Sequence, residues 1–230
     1  MSKILIFQDG PNFKEIKDFF NKVDGYTFNP TLYKNLGAKN YLDFTKEILS
    51  FTKDKSVSIE VIGDSEDDCF SQAMKIKSLN KNIVIKIPIL YTNGKSTAKL
   101  IKKLVKENIN LNITAIFTIE QIKEILPEIK ETNTILSIFA GRLFDTGFNA
   151  VEIFKEISDY VHQNSKCKTL WASCRMAYDI EFAKKSNADI ITMPTSLIAK
   201  LEKFGYSPLK YSVDTVKTFF EDAKNSNFKI

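Results

Sequence analysis

Histidine is almost missing from this chain: His162 is the only one in 230 residues. A multi-histidine metal site and acid–base chemistry by a histidine pair are thereby excluded. Cysteine is scarce as well. Cys69, Cys167 and Cys174 lie far apart, without the spacing of a metal ligand set, and an odd, sparse set fits a reducing cytoplasm. No apolar run approaches the roughly 20 residues that span a bilayer, so no membrane partner is expected. Met1-Ser2-Lys3 leads straight into a strand-like run, not a signal-peptide pattern, and the expected location is cytoplasmic. No low-complexity linker or break in composition interrupts the chain, which reads as a single domain over 1–230. No strand-like run is followed by G-x-G-x-x-G or G-x-x-x-x-G-K-[ST], so dinucleotide and P-loop chemistry lack a motif.

Negative charge is in mild deficit: Lys+Arg 33 against Asp+Glu 28 leaves +5, with lysine far outnumbering arginine. The basic residues are spread over helical segments without a dense run. That pattern reads as a solvated surface rather than a nucleic-acid footprint, and no nucleic-acid partner is expected. The positive balance also suits a substrate that carries phosphate.

What is present is alternation. Strand-like runs at 3–8, 23–28, 58–62, 82–87, 111–117, 134–139, 169–172 and 189–193 are separated by segments with helical spacing. The first helix covers 12–22 with Pro11 in its opening turn, and Asp64-Ser65-Glu66 caps another that runs to about residue 80. Thr118-x-x-Gln121 is a capping box. Helices are also read at 31–36, 41–53, 97–107, 150–163 and 175–187, and two close the chain at 194–203 and 212–224. Strict alternation means a parallel sheet, and eight units predict closure as a (β/α)8 TIM barrel with an extra C-terminal helix. A doubly wound open sheet is the alternative.

The run Asn82-Ile83-Val84-Ile85-Lys86-Ile87-Pro88 is apolar on both sides of its lysine. Continuous Ile and Val fit a strand buried on both faces, where lysine is costly without a partner. Either Lys86 snorkels from the strand end to water, or it is held in a partly dry pocket. A dry pocket disfavours the charged form of an amine, and the free amine attacks carbonyls. In a barrel of this kind the site lies at the carboxyl ends of the strands. The polar residues collected there are Asp9, Thr27, Asn29, Glu60, Lys86, Asn112, Thr114, Ser137, Arg142, Ser173 and Arg175. Singly, each has a plain alternative: Asp9 as a helix cap, Glu60 as a paired edge carboxylate, Arg142 as a loop charge. Their joint placement around one lysine points to a site.

Several pieces recur in a known order: Asp9 seven residues before Ile16, Gly25-Tyr26-Thr27-Phe28-Asn29-Pro30-Thr31, Glu60-Val61, Val84-Ile85-Lys86-Ile87-Pro88 and Asn112-Ile113-Thr114. Ser137-Ile138-Phe139-Ala140-Gly141-Arg142, Ala172-Ser173-Cys174-Arg175 and Ala188-Asp189-Ile190-Ile191-Thr192-Met193-Pro194 complete the set. Over nearly its whole length the chain resembles the transaldolase family, in particular the small members that include fructose-6-phosphate aldolases. The resemblance implies a Schiff-base mechanism on sugar phosphates, with no metal and no cofactor. Lys86 would form the imine, Asp9 would act as general base, and Glu60 with Thr114 and a water would relay protons. Thr27, Asn29, Asn112, Ser137 and Phe139 would line the sugar. Arg142, Arg175 and Ser173 would hold the phosphate.

Transaldolases of the family carry glutamate where the free aldolases carry glutamine, and the aldolases have tyrosine in place of Phe139. Glu60 and Phe139 therefore imply transfer of a three-carbon dihydroxyacetone unit, of the kind used in pentose phosphate metabolism. Cleavage without transfer and a non-catalytic sugar-phosphate-binding barrel are the alternatives. Three departures are expected on the sugar side: Phe28 for a small hydroxyl, Ile138 for a proline, and the segment 143–148 for an acidic pair. Small members of the family also form rings of five or ten subunits. Tyr211, Val213, Val216, Phe219 and Phe220 of the last helix would bury such a face, with packing on the chain's own barrel as the alternative.

Overall fold

The structure, a computed structural model, describes residues 3–226 and 228–229. Its elements are β1 (Leu5–Asp9), α1 (Phe13–Phe19), β2 (Gly25–Phe28), α2 (Pro30–Asn35), α3 (Tyr41–Thr52), β3 (Ser56–Glu60), α4 (Glu66–Lys77) and β4 (Ile83–Pro88). There follow α5 (Ala98–Lys106), β5 (Leu111–Ile116), α6 (Ile119–Ile129), β6 (Ile135–Ile138), α7 (Ala140–Asp145), α8 (Ala150–Asn164) and β7 (Lys168–Trp171). The last are α9 (Asp179–Lys185), β8 (Ile190–Met193), α10 (Thr195–Lys200) and α11 (Pro208–Asn225). Strands β1 to β8 pair in sequence order and β8 closes on β1, all in parallel. This is the (β/α)8 barrel. Among the described residues no helix is long and apolar enough to cross a membrane.

Short polar side chains start several of the helices. Asn12 and Glu15 form a capping box at α1, Asn29 caps α2, Ser65 caps α4, and Thr118 with Gln121 forms the capping box of α6. Each cap satisfies a backbone N–H that the first turn leaves without a partner. Pro11 precedes the α1 cap and is not in the first turn, because Asn12 takes the capping position; Pro30 does occupy a first turn, that of α2.

Inside the barrel, alternate strand residues share a face. Phe7, Ile135, Leu170 and Ile190 form an apolar layer with Ala172. Gly25 belongs to the same level: a Cβ there would stand 2.7 Å from the Phe7 ring, so the glycine makes room for it. Two residues further along the same strands come Asp9, Thr27, Ser137 and Thr192, which line a cavity. The barrel is therefore sealed below by hydrocarbon and polar above.

Several elements depart from the spans expected from the sequence. The third strand lies at Ser56–Glu60, two residues before the expected span; an even shift keeps Ser58 and Glu60 on the same face. A helix absent from the reading, α7, follows β6; at 6 residues it is too short to show a period. The expected helix 175–187 narrows to Asp179–Lys185, and residues before it form a loop. Phe28 does not stand beside the site. Its ring packs on Tyr33, centroids 5.6 Å apart, because it alternates with inward-facing Thr27. Phe144 likewise packs on Trp171 and Phe182.

By its contacts the backbone divides into two compact units, one ending at Ile198 and the other starting at Ala199. In the second unit Ser207 caps α11, Pro208 occupies its first turn, and no residue of the helix is buried.

The lone histidine ties the end of α8 to the residue before β8. His162 Nε2 and Asp189 Oδ2 are 2.8 Å apart, and Asp189 also accepts from the Thr169 amide at 2.7 Å. The bond to Asp189 lifts the imidazole above its ordinary 6.5, helped by the Asp189 and Asp159 charges and opposed by partial burial. Asp189 is held low despite burial, through the bonds from His162 and Thr169, and stays ionised over the histidine range. The folded state thus binds the imidazole proton more tightly than the unfolded one. The pair's contribution is complete below pH ~6.5 and is lost as pH rises through the raised folded value. The urea midpoint of wild type minus that of His162→Gln, measured from about pH 5.5 to 8.5, is expected to fall as pH rises.

Candidate active site

Register brings the amine its countercharge. Glu60, Lys86 and Asn112 are lateral neighbours across β3, β4 and β5. Lys86 is 5% exposed, and its Nζ lies 2.9 Å from Glu60 Oε2. It neither snorkels nor sits at the strand's last residue. Such a pair offsets the desolvation of an ammonium, and removing one partner typically costs about 3–5 kcal/mol. The Tyr41 hydroxyl donates to the Glu60 carbonyl and ties the end of β3 to α3. Glu60 lines a second cavity of about 320 Å3, beside Val61, Ile87 and Tyr91, while Lys86 lines the first.

The first cavity, about 200 Å3, is lined by Asp9, Thr27, Asn29, Lys86, Thr114, Ser137, Phe139, Arg142, Ser173 and Arg175, with Ala172, Cys174, Thr192 and Pro194. Ten of the twelve residues singled out in the sequence thus share one space. The two that do not line it are Glu60, joined to it through Lys86, and Asn112. Asn112 is fully buried. Its amide donates to Ser58 Oγ at 3.1 Å and its oxygen accepts from Ser137 Oγ at 2.7 Å, so it positions Ser137 instead of lining the cavity. Asn29 lines the cavity, but its oxygen caps α2 through the Leu32 amide at 2.9 Å, leaving its nitrogen for other contacts.

Asp9 ends β1, and its Oδ1 accepts from the Thr27 hydroxyl at 2.6 Å. Thr27 Oγ1 lies 2.5 Å from Thr192 Oγ1 in turn. Since Thr27 gives its proton to Asp9, Thr192 is the donor to Thr27, which makes a chain of two hydroxyls ending on the carboxylate. Burial pushes the Asp9 carboxyl above its ordinary range, against the Thr27 bond and the Lys86 charge and with the Glu60 charge.

On β5 the register to β6 shifts between Ile113 and Ile116, and Ala115 has φ 59°. A bulge with a left-handed non-glycine residue costs of order 1–3 kcal/mol and re-aims its neighbours. Its neighbour is Thr114, whose buried Oγ1 has no protein partner.

The cavity mouth is cationic. Arg142 on α7 lies over the Phe139 ring, 5.1 Å from its centroid. Arg175, in the loop after β7, donates from Nε to Asp145 Oδ1 at 3.1 Å and from Nη2 to Asp145 Oδ2. Ser173 has φ 67°, and a Cβ on Gly141 would stand 1.6 Å from its carbonyl oxygen. Only glycine lets α7 approach the β7 loop so closely.

Thr192, Ser58, Gly141 and Asp145 were given no role in the site from the sequence. Thr192 and Ser58 could have been found by one signal: hydroxyls on buried strands, an even number of residues from an inward-facing neighbour. For Gly141 and Asp145, which depend on a six-residue helix, no local signal exists.

A closed parallel barrel with a paired amine buried inside it and guanidinium groups at its mouth defines a lysine-centred (β/α)8 site at the carboxyl ends of the strands. The fold recurs in N-acetylneuraminate lyase from Mycoplasma synoviae, with TM-score 0.55 and 12% identity over 98% of this chain and 78% of that one. Sequence comparison is narrower. Residues 6–230 match the family described as Transaldolase/Fructose-6-phosphate aldolase. A "Probable transaldolase" of Thermoplasma volcanium is 37% identical over 204 residues, 86% of this chain and 87% of the relative. Another, of Bartonella henselae, is 31% identical over 227 residues, 97% of this chain and 98% of the relative. The chain belongs to the transaldolase/fructose-6-phosphate aldolase family.

Gly141→Ala places a methyl group against the Ser173 carbonyl. The expected outcome is a loss of about 1–3 kcal/mol in urea-unfolding stability. Gly147→Ala, where a Cβ meets nothing within 4 Å but φ is +82°, is expected to cost only the backbone strain of a left-handed alanine, about 1 kcal/mol.

Proposed function

We propose that this protein transfers a three-carbon dihydroxyacetone unit from a ketose phosphate to an acceptor aldehyde through a Schiff base on Lys86. The observation that carries this reading is the buried Lys86 amine, 2.9 Å from the Glu60 carboxylate and lining the same cavity as Asp9. Glu60 takes a proton from Nζ, and the free amine adds to the substrate ketone. The carbinolamine loses its hydroxyl as water, with a proton returned from Glu60, and an iminium remains. Thr114, whose hydroxyl has no protein partner, contributes to this relay.

Asp9 then takes the proton of the hydroxyl beyond the bond to be broken. The carbon–carbon electron pair moves toward the iminium nitrogen, an aldehyde departs, and an enamine remains. Attack of the enamine on the acceptor reverses these steps, with Asp9 returning its proton to the new hydroxyl. Asn29 and Ser137, the latter set by Asn112, hold the three-carbon unit. Arg142, Arg175 and Ser173 take the phosphate. Glu60 and Phe139 favour transfer over release, and a fructose-6-phosphate-type aldolase is the second reading. The site of action is the cytoplasm.

The test is borohydride reduction in the presence of fructose 6-phosphate, followed by peptide mass mapping. A three-carbon adduct on the Lys86 peptide, lost in Lys86→Met, is expected. Absence of any adduct with this sugar, another ketose phosphate or dihydroxyacetone would favour a non-catalytic barrel. Rapid cleavage without an acceptor would favour the aldolase.

The assembly proposed is a ring of five or ten subunits. Its support is the apolar side of α11, where Val213, Val216, Phe219 and Phe220 are exposed. Light scattering is expected to give a pentamer or decamer, and a monomeric mass overturns the ring.

A further inference from the structure

The chain has only two arginines among its 33 basic residues, and both line the cavity that holds Lys86. Everywhere else a positive charge is supplied by lysine. Arginine is therefore used where a flat, forked donor is needed and a point charge does not suffice. The two are held differently. Arg142 lies against the Phe139 ring, whereas Arg175 gives its Nε–Nη2 edge to Asp145. The Arg175 backbone is fixed too. Asp179 Oδ2 accepts from the amides of Arg175 at 2.6 Å and Met176 at 3.0 Å, and Asp179 is fully buried.

A guanidinium offers two bidentate edges. Asp145 takes one of them and is not part of the cavity lining, while Arg175 is. The carboxylate thus holds the side chain without occupying the space an anion would fill. The Arg175 bonds keep Asp145 below its ordinary range, helped by the charges of Arg175 and Arg142 and opposed by partial burial, so it remains a full charge at neutral pH.

We propose that Asp145 is a positioning residue that fixes Arg175 by its Nε–Nη2 edge, so that the remaining edge is set to receive the phosphate of the substrate. The inference rests on the phosphate reading of this end of the cavity. A long side chain already held in place loses less rotamer freedom when the anion arrives. The repulsion of a half-exposed carboxylate is screened by solvent and salt.

The experiment measures KM with fructose 6-phosphate and with unphosphorylated dihydroxyacetone as donors, and Ki for inorganic phosphate, on the intact enzyme. Asp145→Ala is expected to raise the ratio of the two KM values, and Ki, by about threefold to tenfold, the range of one immobilised side chain. Asp145→Asn, which keeps an acceptor oxygen and the side-chain shape, is expected to fall between. The proposal is overturned if both variants leave the ratio and Ki unchanged, lower them, or raise both KM values equally. Arg142→Met and Arg175→Met separate the two levels. If these raise the ratio and the Asp145 variants do not, Asp145 has no positioning role but the phosphate reading stands. If neither arginine variant moves the ratio or Ki, the phosphate reading falls and the role of Asp145 with it.

Discussion

A positive charge held inside the barrel is the condition to which the rest of this structure answers. Lys86 is almost wholly buried, and an ammonium there without compensation would cost several kcal/mol. The parallel register of β3 on β4 supplies the compensation, since it sets Glu60 directly beside Lys86. Most neighbouring polar groups are then satisfied among themselves: Ser58, Asn112 and Ser137 form one hydrogen-bonded strip, and Asp9, Thr27 and Thr192 another. Below them the Phe7, Ile135, Leu170 and Ile190 layer keeps water from reaching the pair from the other end. Moving the lysine by one residue would turn its side chain to the opposite face of the strand, away from the cavity that Asp9 lines.

Most of the scaffold could be read in the sequence because a period of two and a period of 3.6 are local properties. The eight strands, the capping box at Thr118 and the run around Lys86 all declare themselves within a window of ten residues. What could not be read depends on which way a strand faces or on what a neighbouring strand does. Phe28 sits one residue from Thr27, so a shift of a single position decides whether its ring faces the cavity or the helices; the ring meets Tyr33. The bulge at Ala115 arises from pairing with β6 and leaves no mark in Asn112-Ile113-Thr114. Asn112 illustrates a further limit. Its position at the site was legible, but its amide is spent on Ser58 and Ser137, which only the packing of three strands determines.

The glycine at 141 shows how the missing pieces matter. In the sequence it is one small residue before Arg142. In space it allows α7 to lie against the Ser173 carbonyl, and this approach brings Arg142, Ser173 and Arg175 to one mouth. A six-residue helix thus does for the cationic end what strand register does for the amine end.

The two ends differ in charge balance, and this gives the cavity a direction. At the floor Lys86 is matched by Glu60, with Asp9 nearby as a second carboxyl. At the mouth Arg175 is matched by Asp145, whereas Arg142 has an aromatic face and, among the described residues, no carboxylate within salt-bridge distance. An anionic group entering this cavity meets uncompensated positive charge at the mouth and a neutralised pair with an extra acid at the floor. Coulombic attraction acts over longer distances than hydrogen bonding, so a molecule with one charged and one uncharged end is oriented before it makes any specific contact. Its uncharged end is then directed toward the amine.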